Sequence, residues 1–171
     1  GTGRNNNCDV VSTEFFMVAM AGGFAMTVHV LKLCVGIAHL AELEAYQAQH
    51  RARAKKHVIE PVNMHVTRNM PRRDTEVLDG GSLYWVIKGV IRARQPIVRL
   101  DDLTEELGRK ACGIVLDPEL IRVEPRPCRA FQGWRYLEAD RAPPDMGAAT
   151  AAIADDMPDS MQDELRALGL L

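Results

Sequence analysis

Absences narrow this sequence first. No stretch of about 18 or more apolar residues occurs, so no membrane-spanning helix is encoded and no membrane partner is expected. The four cysteines, Cys8, Cys34, Cys112 and Cys128, form no C-x-x-C pair, and three of them sit in apolar, strand-like runs where a reduced thiol packs as a small hydrophobe. Reduced thiols place the chain in the cytoplasm. The five histidines, His29, His39, His50, His57 and His65, never reach a tight ligand spacing, so no metal site is expected. Ser82 has no nucleophile-elbow context, and Gly80-Gly81 is too short to cradle a phosphate as a P-loop does. No cofactor is implied, and no reaction is spelled by a motif. Aromatics make up only 5% of the chain, so each one that sits beside a cation is worth following.

The stretch from Leu78 to Gln95 organises the rest. Asp79-Gly80-Gly81 supplies a tight turn, and the residues after it read as one long apolar strand. In alternation, Leu83, Trp85, Ile87, Gly89, Ile91 and Ala93 face one way, as core. Tyr84, Lys88, Arg92 and Arg94 face the other, an aromatic with three cations.

Charge is unevenly distributed. The formal net charge of −2 averages an acidic start, a body over 51–136 with 17 Lys+Arg against 11 Asp+Glu, and an end, from 137 onward, with two arginines against eight acids. A basic body with an acidic tail hints at a polyanionic partner, although a solvated surface accounts for it equally well. At the other end, Phe15 to Ala25 has the apolarity of a short signal segment, but only Arg4 stands before it, beside two acids. Residues 1–25 therefore read as a non-native or disordered extension, with Met26 opening the domain.

Along the chain, Met26 to Val35 alternates as a first strand ended by Gly36. Ala38 to Ala54 is rich in helix formers, with Leu40, Leu43 and Tyr46 about a turn apart and a basic end that suits the helix dipole. His57 to Met70 returns to period two, with Val62, Met64 and Val66 as the inward set. Arg68 shares their parity, so its guanidinium is expected to find Asp79 or Glu119, or to face a cleft bordered by Tyr84, Trp134 or Tyr136. Gln95-Pro96 reads as a loop, Asp101 to Gly108 as a loop and acidic turn, and Cys112 to Leu116, Leu120 to Glu124 and Phe131 to Leu137 as strands. These elements predict one α+β domain over 26–146, a curved and mostly antiparallel sheet with a flanking helix. An acidic tail follows over 147–171, with a short helix around Gln162 to Leu168.

Four runs carry a resemblance: His29 to Gly36, His65-Val66-Thr67-Arg68, Asp79 to Gly89, and Leu116-Asp117-Pro118-Glu119-Leu120-Ile121-Arg122 through Phe131-Gln132-Gly133-Trp134-Arg135-Tyr136-Leu137. From Met26 to about Met146 the chain resembles domain-of-unknown-function family fourteen-eighty-nine, known mainly from alphaproteobacteria, which brings no assigned activity. The order of elements is also similar to PUA-like small barrels such as EVE and ASCH domains. That likeness implies a sheet closing toward a small barrel and a cleft for a base or modified base.

Three functions fit. The first is a non-catalytic binding module for RNA or for a modified nucleobase in nucleic acid, with Arg68, Lys88, Arg92 and Arg94 as anion contacts and Tyr84, Trp134 and Tyr136 as stacking surfaces. Trp85, on the apolar parity, reads as core. The second is a small ASCH-like hydrolase on a nucleotide or nucleoside-like substrate, with Arg68 and Lys88 orienting it and His65 or Asp79 as acid or base. The third is an adaptor whose acidic tail covers its own basic body. Oligomeric state is not legible.

Overall fold

The computed structural model describes residues 26–56, 60–148, 150–151 and 157–170. The extension read at 1–25 and the strand expected over His57 to Ile59 lie outside them. β1 (Val28–Leu33) buries Val28 and Val30 on one side and Leu31 on the other, as a strand inside a sheet covered on both faces must. A turn through Gly36, at φ +81°, leads to α1 (Leu40–Lys56).

The buried face of α1 is Leu40, Leu43 and Gln47, whereas Tyr46, expected inward, is 58% exposed. Gln47 takes the inward place because polar partners for its amide are waiting there. It exchanges two 2.9 Å hydrogen bonds with the fully buried Gln95 and accepts a third, at 3.3 Å, from Asn63 Nδ2. Gln95 in turn accepts from Trp85 Nε1 at 2.8 Å and donates to the Asp117 carbonyl at 2.9 Å. Satisfied in this way, buried amides tie α1 to the sheet without the penalty of unpaired polar groups.

The remaining elements are β2 (Asn63–Thr67), α2 (Asp74–Leu78), β3 (Ser82–Ile87), β4 (Val90–Asp102), α3 (Thr104–Leu107), β5 (Cys112–Leu116), β6 (Ile121–Pro127), β7 (Trp134–Glu138), a 3₁₀ turn (Ala139–Arg141) and α4 (Asp159–Ala167). The seven strands form one sheet in the order β2-β5-β4-β3-β1-β7, with β6 also on β4. β1 and β3 are parallel, and every other pairing is antiparallel. The α+β class, the largely antiparallel sheet and the flanking helix are as the sequence indicates.

Three details of the central stretch differ from the sequence reading. The stretch expected as one strand is a hairpin, β3–β4, turned at Lys88-Gly89 with φ of +48° and +77°, the mirror-image turn that suits strand twist. A bulge then places Arg92 as the extra residue between Ile91 and Ala93, so these two fall on opposite faces of the sheet. Past it, Gln95-Pro96 is no loop: β4 runs on for 13 residues, and around Pro96 its neighbour changes from β6 to β5.

In β2 the inward set is also the other one. Asn63 and Thr67 are buried, while Met64 and Val66 are 38% and 43% exposed. Asn63 turns inward to meet Gln47 and to accept from Arg51 Nη1 at 2.8 Å, and that fixes the register of the short strand.

Closure into a barrel is not reached. β2 and β7 are the sheet's two ends and do not pair, yet the loop after β2 bends toward β7. Trp134 Nε1 donates to the Asn69 carbonyl at 2.9 Å, and the Arg73 backbone N–H donates to the Tyr136 hydroxyl at 3.1 Å. Among the described residues no helix is long and apolar enough to cross a membrane.

Candidate nucleic-acid interface

The seam between the sheet's two ends is a cleft of about 600 Å³. Three segments build it. The β2–α2 loop brings Arg68, Asn69, Met70 and Arg72; the end of β4, α3 and the turn after it bring Asp102, Thr104 and Lys110; β7 brings Trp134 and Tyr136. Arg68 does share a side with Met64 and Val66, but that side is the exposed one, so no buried charge has to be compensated. Neither Asp79 nor Glu119 pairs with it. Among the described residues Arg68, Arg72 and Lys110 make no ion pair, and all three are exposed.

Asp102 is the one carboxylate lining the cleft among the described residues. Its Oδ1 accepts from the Thr104 backbone N–H at 2.9 Å, and the side-chain and backbone hydrogen bonds of Thr104 hold its carboxyl below the usual range. It is thus ionised, held in an Asx turn just ahead of α3, and unsuited to donating a proton at neutral pH.

The two aromatics play unequal parts. Tyr136 meets Trp134 edge-on at 4.9 Å, and the Arg73 guanidinium lies 5.4 Å from its ring centroid. Arg73 is held there by Glu76 and by Glu138 (2.7 Å), whose hydrogen bonds push its pKa up. Tyr136 therefore braces Trp134, and Trp134, only partly buried, offers the indole surface beside the cations.

The other four residues singled out in the sequence lie elsewhere. Lys88 is exposed at the hairpin turn. Arg92 is buried on its bulge and pairs with Asp163 of α4 at 2.7 Å. Tyr84 is 4% exposed in the second core cluster, with Leu31, Val86, Ile91 and Val123. Arg94 is clamped by Asp145 at 2.6 and 2.7 Å. Of the candidate acids and bases, His65 sits edge-on against Trp85 at 5.4 Å, and Asp79 ends α2, where its carbonyl accepts from Thr27. Neither lines the cleft. Arg72, Lys110 and Asp102 were not singled out; Arg72 shares a short loop with Arg68, a usable signal, but nothing local in the sequence brings Lys110 beside Trp134.

Fold and cleft together define a class: a one-sheet α+β domain with a basic, aromatic-walled groove between unpaired sheet ends. The chain belongs to the family described as protein of unknown function (DUF1489), whose model matches residues 30–171 and so takes in the acidic end as well. No curated protein and no solved structure matches it.

Proposed function

We propose that this protein is a non-catalytic module that binds single-stranded RNA in the seam cleft. One observation carries the reading: Arg68, Arg72 and Lys110, without protein partners among the described residues, surround a partly buried tryptophan braced by Tyr136. Guanidinium and ammonium groups neutralise phosphates, and an indole face stacks on a base whatever its identity. Stacking needs an unpaired base, which favours single strands over duplex. The hydrolase reading receives no comparable support, because the cleft's carboxylate is engaged by the Thr104 N–H in the turn ahead of α3 and neither His65 nor Asp79 lines it.

Tryptophan fluorescence tests the proposal, since Trp85 is 4% exposed and Trp134 is the indole that a ligand can reach. Titration with single-stranded RNA is expected to quench the emission, and Trp134→Ala to weaken binding by about 1–3 kcal/mol in a parallel anisotropy titration. Absence of binding to any single-stranded RNA, or undiminished binding by the variant, refutes it.

A further inference from the structure

A second cleft, of about 360 Å³, opens beside the start of β3 and below Pro143 and Pro144. It collects His29 from β1, Ser82 and Tyr84 from β3, Arg94 from β4 and Asp145 from the segment beyond the 3₁₀ turn. The Ser82 backbone N–H donates to His29 Nδ1 at 3.1 Å, so the neutral imidazole carries its proton on Nε2. Burial, and the charge of Arg94, lower the His29 pKa and keep that neutral form at physiological pH. Arg94 binds both Asp145 oxygens and donates through Nη1 to Ser82 Oγ at 3.1 Å, so the pair adds no net charge.

Tyr84 lies across from this pair. Its ring meets His29 edge-on at 5.1 Å, and although the residue is 4% exposed, its hydroxyl has no hydrogen-bond partner among the described residues. His29 Nε2 has none either. The side chain is buried, but its hydroxyl is not sealed off: the cleft is the open space beside it, so that hydroxyl and His29 Nε2–H stand as two donors that a ligand in the cleft can reach.

We propose that this cleft is a second ligand site, one for an uncharged ligand with an amide edge. The ligand's carbonyl accepts from His29 Nε2–H and the Tyr84 hydroxyl, and its adjacent N–H donates to Asp145, whose oxygens keep free lone pairs. Full anions are disfavoured because Asp145 already neutralises Arg94, and cations because Arg94 stands in their place. Two sources carry such an edge, a lactam-type nucleobase and a primary carboxamide. The proposal is independent of RNA binding in the seam.

Uridine, 3-methyluridine, nicotinamide and inorganic phosphate, each titrated into the ¹⁵N-labelled full chain, separate the possibilities by NMR. Uridine or nicotinamide is expected to shift the backbone amides of Gly80 and Ser82 saturably and to leave the Trp134 indole signal in place. Uridine alone assigns a nucleobase, nicotinamide alone a carboxamide, and both the bare amide edge. Tyr84→Phe keeps the ring in the core and is expected to bind about tenfold more weakly, with the spectrum otherwise retained. Asp145→Asn frees the charge of Arg94, and phosphate is then expected to shift Ser82. Silence of Gly80 and Ser82 toward both amides overturns the proposal, as does undiminished binding by Tyr84→Phe or equal binding of 3-methyluridine and uridine.

Discussion

Replacing Arg68 with alanine separates ligand binding from folding. Arg68 is exposed and unpaired among the described residues, so nothing in the folded state is lost with it, and unfolding free energy is expected to stay within about 0.5 kcal/mol of the parent. Binding responds differently. If Arg68, Arg72 and Lys110 each meet one phosphate, the logarithm of the association constant falls with the logarithm of salt at a slope of about 0.7 per contact for a single strand, or about −2 in total. A fourfold rise in salt, from about 50 to 200 mM, then weakens binding roughly 18-fold. With one contact gone the slope becomes about −1.4 and the same rise costs roughly sevenfold. Anisotropy of a fluorescent single-stranded RNA of about ten nucleotides, at three salt concentrations, measures both slopes, and urea melts measure stability. An unchanged slope and affinity removes Arg68 from the site. A loss of binding accompanied by a loss of several kcal/mol of stability shows instead that the residue holds the fold.

Deletion of residues 148–171 removes Asp163 from Arg92, together with most of the acidic end, and is expected to raise RNA affinity at low salt; equal affinity refutes screening by the tail. His65 is pushed down to about 4 by burial, with Lys32 adding to the shift. An unfolded histidine titrates near 6.5, so between those values the unfolded chain binds a proton that the folded chain refuses, and stability is lost as pH falls through that window. Unfolding free energies from urea melts at pH 7 and 4.5 are expected to differ by about 2–3 kcal/mol more in the parent than in His65→Phe, and equal differences sink that account. Gly81→Ala would set a Cβ 2.1 Å from the Val77 carbonyl oxygen and 2.6 Å from that of Val28, both backbone atoms, and is expected to cost about 2–3 kcal/mol or more in a denaturant melt.

Much of the fold was legible because alternation and helix composition are local. β1, α1, β5 and the core place of Trp85 follow directly from the spacing of their apolar residues. Where the reading slipped, a partner distant in sequence decided. Asn63 outcompetes Met64 for the interior because Gln47 and Arg51 are there to bond it, and the two residues on either side of Arg92 part company at a bulge that no single-strand pattern reveals. The Lys88-Gly89 turn was hidden because a lysine at positive φ is a rare sight. For the cleft, Arg68, Trp134 and Tyr136 could be named from charge beside aromatics, but their convergence depends on how the sheet's ends approach. Tyr84, Arg92 and Arg94 were named by the same logic and lie in other surroundings, since parity within one strand does not say which face carries a groove.

The unpaired ends of the sheet also bear on motion. No ladder hydrogen bond joins β2 to β7; the loop and strand are instead linked through Trp134 to Asn69 and through Arg73 to Tyr136 and Glu138. Separating them a little breaks no strand pairing, so the seam can open without disturbing the sheet, and amide protons around Asn69 and Arg73 are expected to exchange ahead of those in β3 and β4. A strand of RNA touching both lips would act as a basting stitch across them, and its grip would register as slowed exchange on two segments more than sixty residues apart in the chain.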